Sequence, residues 1–101
     1  MTCAGDSFAA RVAGSVLTAV GLPELITTTL GDYGALALDL PRDRDRLAQI
    51  RAKLGRNRTR LPLFDIPRFC RHLESAYRTM WQRHHRGEAP EGFAVAVAEP
   101  V

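Results

Sequence analysis

The segment from Asp65 to Gly87 carries the strongest folding signal in the sequence. Asp65 can cap a first helical turn, Pro67 stands where its missing N–H costs nothing, and Gly87 is a typical stop. Between them, apolar residues recur at the spacing that forms one wide face of an α-helix. They are Ile66, Phe69, Leu73, Ala76, Tyr77, Met80 and Trp81. Such a face predicts a core or interface helix with a buried Trp81, whose truncation to Ala would cost about 3–5 kcal/mol.

A first upstream helix is predicted from Ser7 to Val20. Asp6 or Ser7 can cap it, and Gly21 followed by Pro23 ends it. Its periodic apolar residues are Phe8, Val12, Val16, Leu17 and Val20. This pattern predicts one buried helical face.

Two more helices are predicted in the middle of the chain. Thr29 is a plausible N-cap for the second, which should end at Leu40 because Pro41 disfavours helical geometry in the residue before it. The third starts near Asp43 and fades around Gly55–Asn57. The apolar faces are Tyr33, Leu36, Ala37 and Leu40 for the second helix, and Leu47, Ile50 and Leu54 for the third.

The remaining segments add little regular structure. Residues 1–4 can be the end of a strand but are too few to form a sheet alone, and Leu61–Phe64 is predicted to be an extended linker. Phe93–Val97 can add a short strand or pack along a neighbour. The expected fold class is mainly α, with four helices that form the helical end of an α/β domain rather than a complete one.

Composition excludes several classes of protein. With 101 residues, 46% apolar and 25% charged, the chain suits one small globular domain. Its apolar runs are too short to span a bilayer, and its first residues do not resemble a signal peptide. Cys3 and Cys70 have no CxxC partner, and His72, His84 and His85 are interpreted as helix-surface residues. We therefore expect reduced thiols and neither a metal nor a cofactor, in a cytoplasmic protein from a GC-rich bacterial genome.

Basic residues are crowded between Arg42 and Arg60, although the formal net charge is only +3. Such a cluster can bind nucleic acid or an acidic partner. Against this, Asp43 and Asp45 alternate with the arginines, and no aromatic residue is interleaved for base stacking. A solvated, salt-bridged helix face is the favoured interpretation. No arrangement of Ser, His and Asp or of Cys and His indicates a catalytic site, so no catalytic residue is assigned.

Two stretches resemble a known family. Gly5–Ser15, continuing to Gly21–Ile26, is similar to a segment near the end of the second nucleotide-binding lobe of the O-GlcNAc transferase and Spindly-type glycosyltransferases, family 41. The segment Pro62–Asp65 and the pairs after it resemble that family's closing helix. These pairs are Arg68-Phe69, Leu73-Glu74, Ala76-Tyr77 and Met80-Trp81. Ala4, Ala10 and Pro41 depart from the family pattern, which often has Pro and Ser at the first two positions and a smoother helix pair at the third.

The resemblance implies a fold of two Rossmann-like lobes, preceded by tetratricopeptide repeats. Members transfer N-acetylglucosamine from UDP-GlcNAc to Ser or Thr of proteins, and some Spindly-type members use GDP-fucose. The main donor contacts come from a His-Thr-Thr/Ser-Gly stretch, an Asp and a Lys, all upstream of the segment matched here. Residues 1–93 are accordingly expected to be an incomplete C-terminal segment of the catalytic domain, with 94–101 as a tail.

Four residues are candidates for a place near the nucleotide. Gly5, Asp6 and Ser7 open a helix whose first turn has free N–H donors, and Arg11 lies one turn further on. The alternative is that these residues only cap a helix that follows a strand, with Arg11 in solvent. Asp6 favours this alternative, because its carboxylate would repel a phosphate.

Two hypotheses for function follow. The first is a fragment of a protein O-glycosyltransferase, inactive alone, which meets UDP-sugar and protein acceptor only in a complete enzyme. The second is a non-catalytic helical interaction module that binds through the Trp81 face. Self-association or pairing with an upstream lobe is expected in the first case, and neither nucleic acid nor membrane is an expected partner.

Overall fold

The computed structural model describes residues 1–97 as mainly helical, as the sequence predicts. The chain divides into two compact units, Met1–Phe64 and Asp65–Val101. In the first unit the elements are β1 (Thr2–Cys3), α1 (Phe8–Ala19), a 3-10 turn (Pro23–Leu25), β2 (Ile26–Thr27), α2 (Leu30–Arg42), α3 (Arg44–Asn57) and a second 3-10 turn (Pro62–Phe64). The second unit contains α4 (Ile66–His85).

The two short strands form a parallel pair. Thr2 lies opposite Ile26 and Cys3 opposite Thr27. The Thr27 hydroxyl donates a hydrogen bond of 2.8 Å to the carbonyl of Thr2, and the Ala4 N–H donates one of 2.7 Å to the carbonyl of Thr27. The strand expected within residues 1–4 is confirmed, whereas β2 was not predicted, since two residues carry no readable alternation.

Side-chain caps set the helix starts where the sequence places them. Each capping oxygen accepts a hydrogen bond from the backbone N–H three residues ahead, which satisfies one of the donors left free in a first turn. The pairs are Ser7 with Ala10, Thr29 with Asp32, Asp43 with Arg46 and Asp65 with Arg68, at 3.2, 3.1, 2.9 and 3.0 Å. The predicted caps of α1, α2 and α4 are confirmed, with Ser7 rather than Asp6 as the cap of α1. The predicted start of α3 near Asp43 is also confirmed, and Asp43 is its cap.

The predicted end of α2 at Leu40 is wrong. Pro41 lies inside the helix, which continues to Arg42. The Asp43 N–H closes the last turn by donating to the Asp39 carbonyl at 3.1 Å. Pro41 removes one backbone N–H from the last turn of α2, and the Asp43–Asp39 hydrogen bond is still made. The proline therefore does not end the helix.

A tight junction joins the end of α1 to the end of α3. Gly21 has a φ of 76°, in the left-handed region that glycine favours, and it ends α1 as predicted. The Asn57 side-chain amide donates a hydrogen bond of 2.9 Å to the carbonyl of Val20. The N–H of Leu61 in turn donates to the Asn57 carbonyl at 2.9 Å. The expected extended linker at Leu61–Phe64 is therefore wrong, because this turn continues into the 3-10 turn at Pro62–Phe64.

The core is small. Among residues 1–97, the buried apolar side chains are Val20, Leu22 and Leu36. The apolar residues of α1 do not share one buried face, because Phe8, Val12 and Val16 are 87%, 42% and 43% exposed. The face of α1 that packs against β2 contains Gly14. A Cβ built on Gly14 would lie 3.9 Å from the side chain of Ile26. The helix thus has one face packed on the first unit and a second apolar face that is open.

In the second unit the predicted burial of Trp81 is wrong. Trp81 is 61% exposed, and its ring forms a T-shaped pair with the His85 ring, with centroids 4.3 Å apart. The residues after α4 contact a different side chain, since Phe93 lies under the Arg83 guanidinium at 5.2 Å. No strand forms over residues 93–97. As predicted, Gly87 ends the helix region with a φ of 72°.

Candidate functional site

The first turn of α1 opens onto a groove in the first unit. The groove has a volume of about 710 Å³ and lies along α1. Its walls include Gly5, Phe8, Arg11, Val12, Ser15 and Ile26. Most of the lining is apolar, and its polar side chains are Arg11, Ser15 and Thr18.

The structure brings two of the four predicted site residues into this groove. Gly5 and Arg11 line it, whereas Asp6 and Ser7 are exposed beside it. The Ser7 hydroxyl accepts the hydrogen bond that caps α1, at 3.2 Å from the Ala10 nitrogen. The capping interpretation of Ser7 therefore holds, and a nucleotide contact by any of the four stays a prediction.

The groove combines apolar side chains with two sources of positive potential, Arg11 and the first turn of α1. The first N–H groups of a helix have no intrahelical partner and carry the positive end of the helix dipole. Arg11 forms no ion pair with any carboxylate of residues 1–97. The carboxylate of Asp6 opposes an anion at the same end, so this turn by itself is a weak anion site.

Gly5 allows the chain to pass close to the first turn of α1. A Cβ on Gly5 would lie only 3.1 Å from the Cβ of Ala10, so a larger residue would push the incoming chain away from the helix. The sequence indicated this glycine through its position between a strand and a helix.

No acid–base pair is assembled in the groove. Arg11 is the one ionisable side chain among the residues that line it. The described residues also bring together no cluster of three metal-ligating side chains, and Cys3 and Cys70 are both free thiols. None of the described helices is long and apolar enough to cross a membrane.

A second groove, which the sequence did not reveal, runs along α3. It has a volume of about 490 Å³ and is lined by Glu24, Arg46, Gln49, Ile50, Lys53 and Arg56. The arginines between positions 42 and 60 are exposed, so the predicted solvated face is confirmed. The expected ion pairing with Asp43 and Asp45 is not seen in residues 1–97; Asp43 caps α3, and Lys53 pairs with Glu24 at 3.1 Å.

The first unit contains the order β1–α1–β2, with parallel strands and a groove at the first turn of the helix. This order is the repeating unit of α/β nucleotide-binding domains. A model of glycosyl transferase family 41 matches residues 1–73, most of the chain. The chain belongs to this family, as the sequence resemblance indicated.

Individual relatives agree with the family match. The chain is 42% identical over 82 residues to a UDP-N-acetylglucosamine–peptide N-acetylglucosaminyltransferase of Caenorhabditis elegans, a match that covers 81% of this chain and 7% of the relative. It is 42% identical over 90 residues to the probable enzyme of that name, SPINDLY, of Hordeum vulgare, covering 89% of this chain and 10% of the relative. The probable enzyme SEC of Arabidopsis thaliana is 35% identical over 91 residues, with 9% of its length covered. The chain thus spans about a tenth or less of these relatives.

Proposed function

We propose that this chain is the terminal helical part of a nucleotide-sugar-dependent protein glycosyltransferase, which in the complete enzyme transfers N-acetylglucosamine from UDP-GlcNAc to Ser or Thr. The observation that carries the proposal is the family match over residues 1–73, which includes the β1–α1–β2 unit and its groove. Relatives matched over 81–89% of this chain are named for this donor and for peptide acceptors. Residues 1–93 belong to the catalytic domain, and 94–101 are its tail.

The α1 groove supplies one wall of the donor site. Arg11 provides a cation that no carboxylate of residues 1–97 engages, and the first turn of α1 adds backbone donors. Such groups stabilise the charge that develops on a departing diphosphate when they are already in place. Since Asp6 opposes this charge, the diphosphate is held mainly by parts of the domain outside this chain.

The open apolar faces brace the rest of the domain. Phe8 and Val12 on α1, and Phe69, Tyr77 and Trp81 on α4, are each more than a third exposed. Exposed apolar surface of this extent marks a contact surface. In the proposed enzyme these faces are covered by the remainder of the catalytic domain, so the isolated chain is inactive.

Reconstitution tests the proposal. The chain, a separately expressed upstream part of a family 41 catalytic domain, and their mixture would each be assayed for transfer of labelled N-acetylglucosamine to a mixture of peptides. We expect transfer only from the mixture. Transfer by the upstream part alone, unchanged when the chain is added, would contradict the proposal.

The role of the groove is tested within the same assay. Arg11→Gln should lower transfer by the mixture about tenfold, the effect of removing one partly solvated charge contact. Arg78→Gln, an exposed arginine on α4, is the matched control and should leave transfer unchanged. Equal activity of Arg11→Gln and wild type would remove Arg11 from the donor site.

A further inference from the structure

Three cationic side chains and a glutamine follow one line along α3. Arg46, Gln49, Lys53 and Arg56 are spaced by three, four and three positions, so they share one side of the helix, and all four line the 490 Å³ groove. Arg46 and Arg56 are ten positions apart, which corresponds to about 15 Å along the helix axis. The groove is therefore elongated, with a cation near each end.

The charge of this line is largely uncompensated. Lys53 is bound to Glu24, with its ammonium 3.1 and 3.3 Å from the two carboxylate oxygens. Arg46 and Arg56 form no ion pair in residues 1–97, although the charge of Arg46 acts on Glu24 at longer range and helps to lower its pKa. Glu24 is the one carboxylate among the residues that line the groove, so the groove keeps a net positive charge.

We propose that the α3 groove binds an acidic peptide segment in extended conformation, with its carboxylates on Arg46 and Arg56. An extended chain rises about 3.4 Å per residue, so about five residues cover the distance between the two arginines, and alternate side chains face the groove. The Gln49 amide can bond to the peptide backbone between the two cations, and Ile50 gives an apolar contact. This binding is independent of sugar transfer and would serve to recruit an acidic protein.

The lining favours a peptide over a nucleic acid. No aromatic side chain lines the groove, and the segment from Arg42 to Arg60 contains none, so unpaired bases have no stacking surface. Ile50 and Gln49 suit the side chains and peptide bonds of a polypeptide.

Fluorescence anisotropy on the full chain tests the proposal. The probe is a labelled peptide of alternating Glu and Ser, and the same peptide with Gln for Glu is the control ligand. Arg46→Gln with Arg56→Gln should weaken binding about tenfold. Arg44→Gln with Arg51→Gln removes the same charge from the opposite side of α3 and should change the affinity less than about twofold. Binding should also weaken as salt is raised.

Three outcomes would overturn the inference. The first is an equal loss in both double variants, which would mean attraction by net charge alone. The second is the absence of saturable binding up to about 1 mM peptide. The third is tighter binding of a single-stranded oligonucleotide of equal charge, which would assign the groove to nucleic acid. Circular dichroism of each variant would confirm that the exposed substitutions leave the helices intact.

Discussion

Among the glycines of the first unit, Gly21 has the least room for a side chain. Gly21 has a φ of 76°, which disfavours any residue with a side chain. A Cβ at this position would also lie 2.4 Å from the Leu61 side chain and 2.7 Å from the Asn57 amide nitrogen. The Asn57 amide is also the group that bonds to the end of α1. A side chain here would therefore strain the backbone and push away the contact that links α1 to α3.

We predict that Gly21→Ala destabilises the chain by about 2–4 kcal/mol, since backbone strain and displaced packing add. Gly34→Ala is the matched control: Gly34 lies inside α2, a Cβ there meets no atom within 4 Å, and the change should stabilise by about 0.5–1 kcal/mol. Urea unfolding followed by circular dichroism measures both. A Gly21→Ala variant as stable as the wild type would show that this junction is not tight.

Glu24 is predicted to give the chain a small acid sensitivity. A backbone hydrogen bond at Glu24, the hydrogen bond from Lys53 and the charges of Lys53 and Arg46 hold its pKa below the usual 4.5. The folded pKa is the lower one, so this stabilisation is present above about pH 4.5 and is lost as the pH falls through the folded pKa. The loss should be about 0.2–1 kcal/mol, because the pair is partly exposed.

Unfolding free energies between pH 6 and pH 3 test this for wild type, Glu24→Gln and Lys53→Gln. The Glu24→Gln variant should lose the Glu24 part of the pH dependence, and Lys53→Gln should lose a portion of it. An unchanged pH profile in Glu24→Gln would contradict the assignment.

Among the helices, starts were easier to predict than ends and burial. A cap is local chemistry: Ser7, Thr29, Asp43 and Asp65 each bond to an N–H three residues ahead, and the sequence shows both partners. The continuation of α2 through Pro41 depends on the bond from Asp43 to Asp39, and β2 depends on pairing with residues 24 positions earlier. The pairing of β2 is a non-local interaction, which periodicity does not show. The two grooves escaped prediction for the same reason, because Glu24 meets α3 only in the folded chain.

The helices also differ in how much stability their apolar faces contribute within this chain. Leu36 on α2 is 9% exposed, so Leu36→Ala should cost about 2–4 kcal/mol through lost burial and a cavity. Trp81 on α4 is 61% exposed, so Trp81→Ala should cost less than about 1 kcal/mol. Chemical denaturation of both variants decides. A loss of 3–5 kcal/mol for Trp81→Ala, the value expected from the sequence pattern, would mean that this face is covered in solution.

For the whole molecule, the open faces on α1 and α4 predict association. Phe8, Val16, Phe69, Tyr77 and Trp81 are all more than a third exposed, and exposed apolar faces of this kind favour contact with another molecule. We expect dimers or larger species whose mass rises with concentration in light scattering. Phe8→Ser with Trp81→Ser should shift the chain towards monomer, whereas Leu54→Ser on α3 should not. A wild-type chain that stays strictly monomeric and highly soluble would indicate a self-sufficient domain.

The most direct measurement of the central claim is a calorimetric titration of the isolated chain with UDP. The account assigns this chain one wall of the donor site, with a single helix N-terminus and Arg11 as its anion-binding groups and Asp6 opposing them. These groups cannot hold a nucleotide diphosphate tightly against its water shell, so the dissociation constant should be about 1 mM or weaker. A micromolar affinity for UDP in the isolated chain would contradict this, since it would place the whole donor site within these residues.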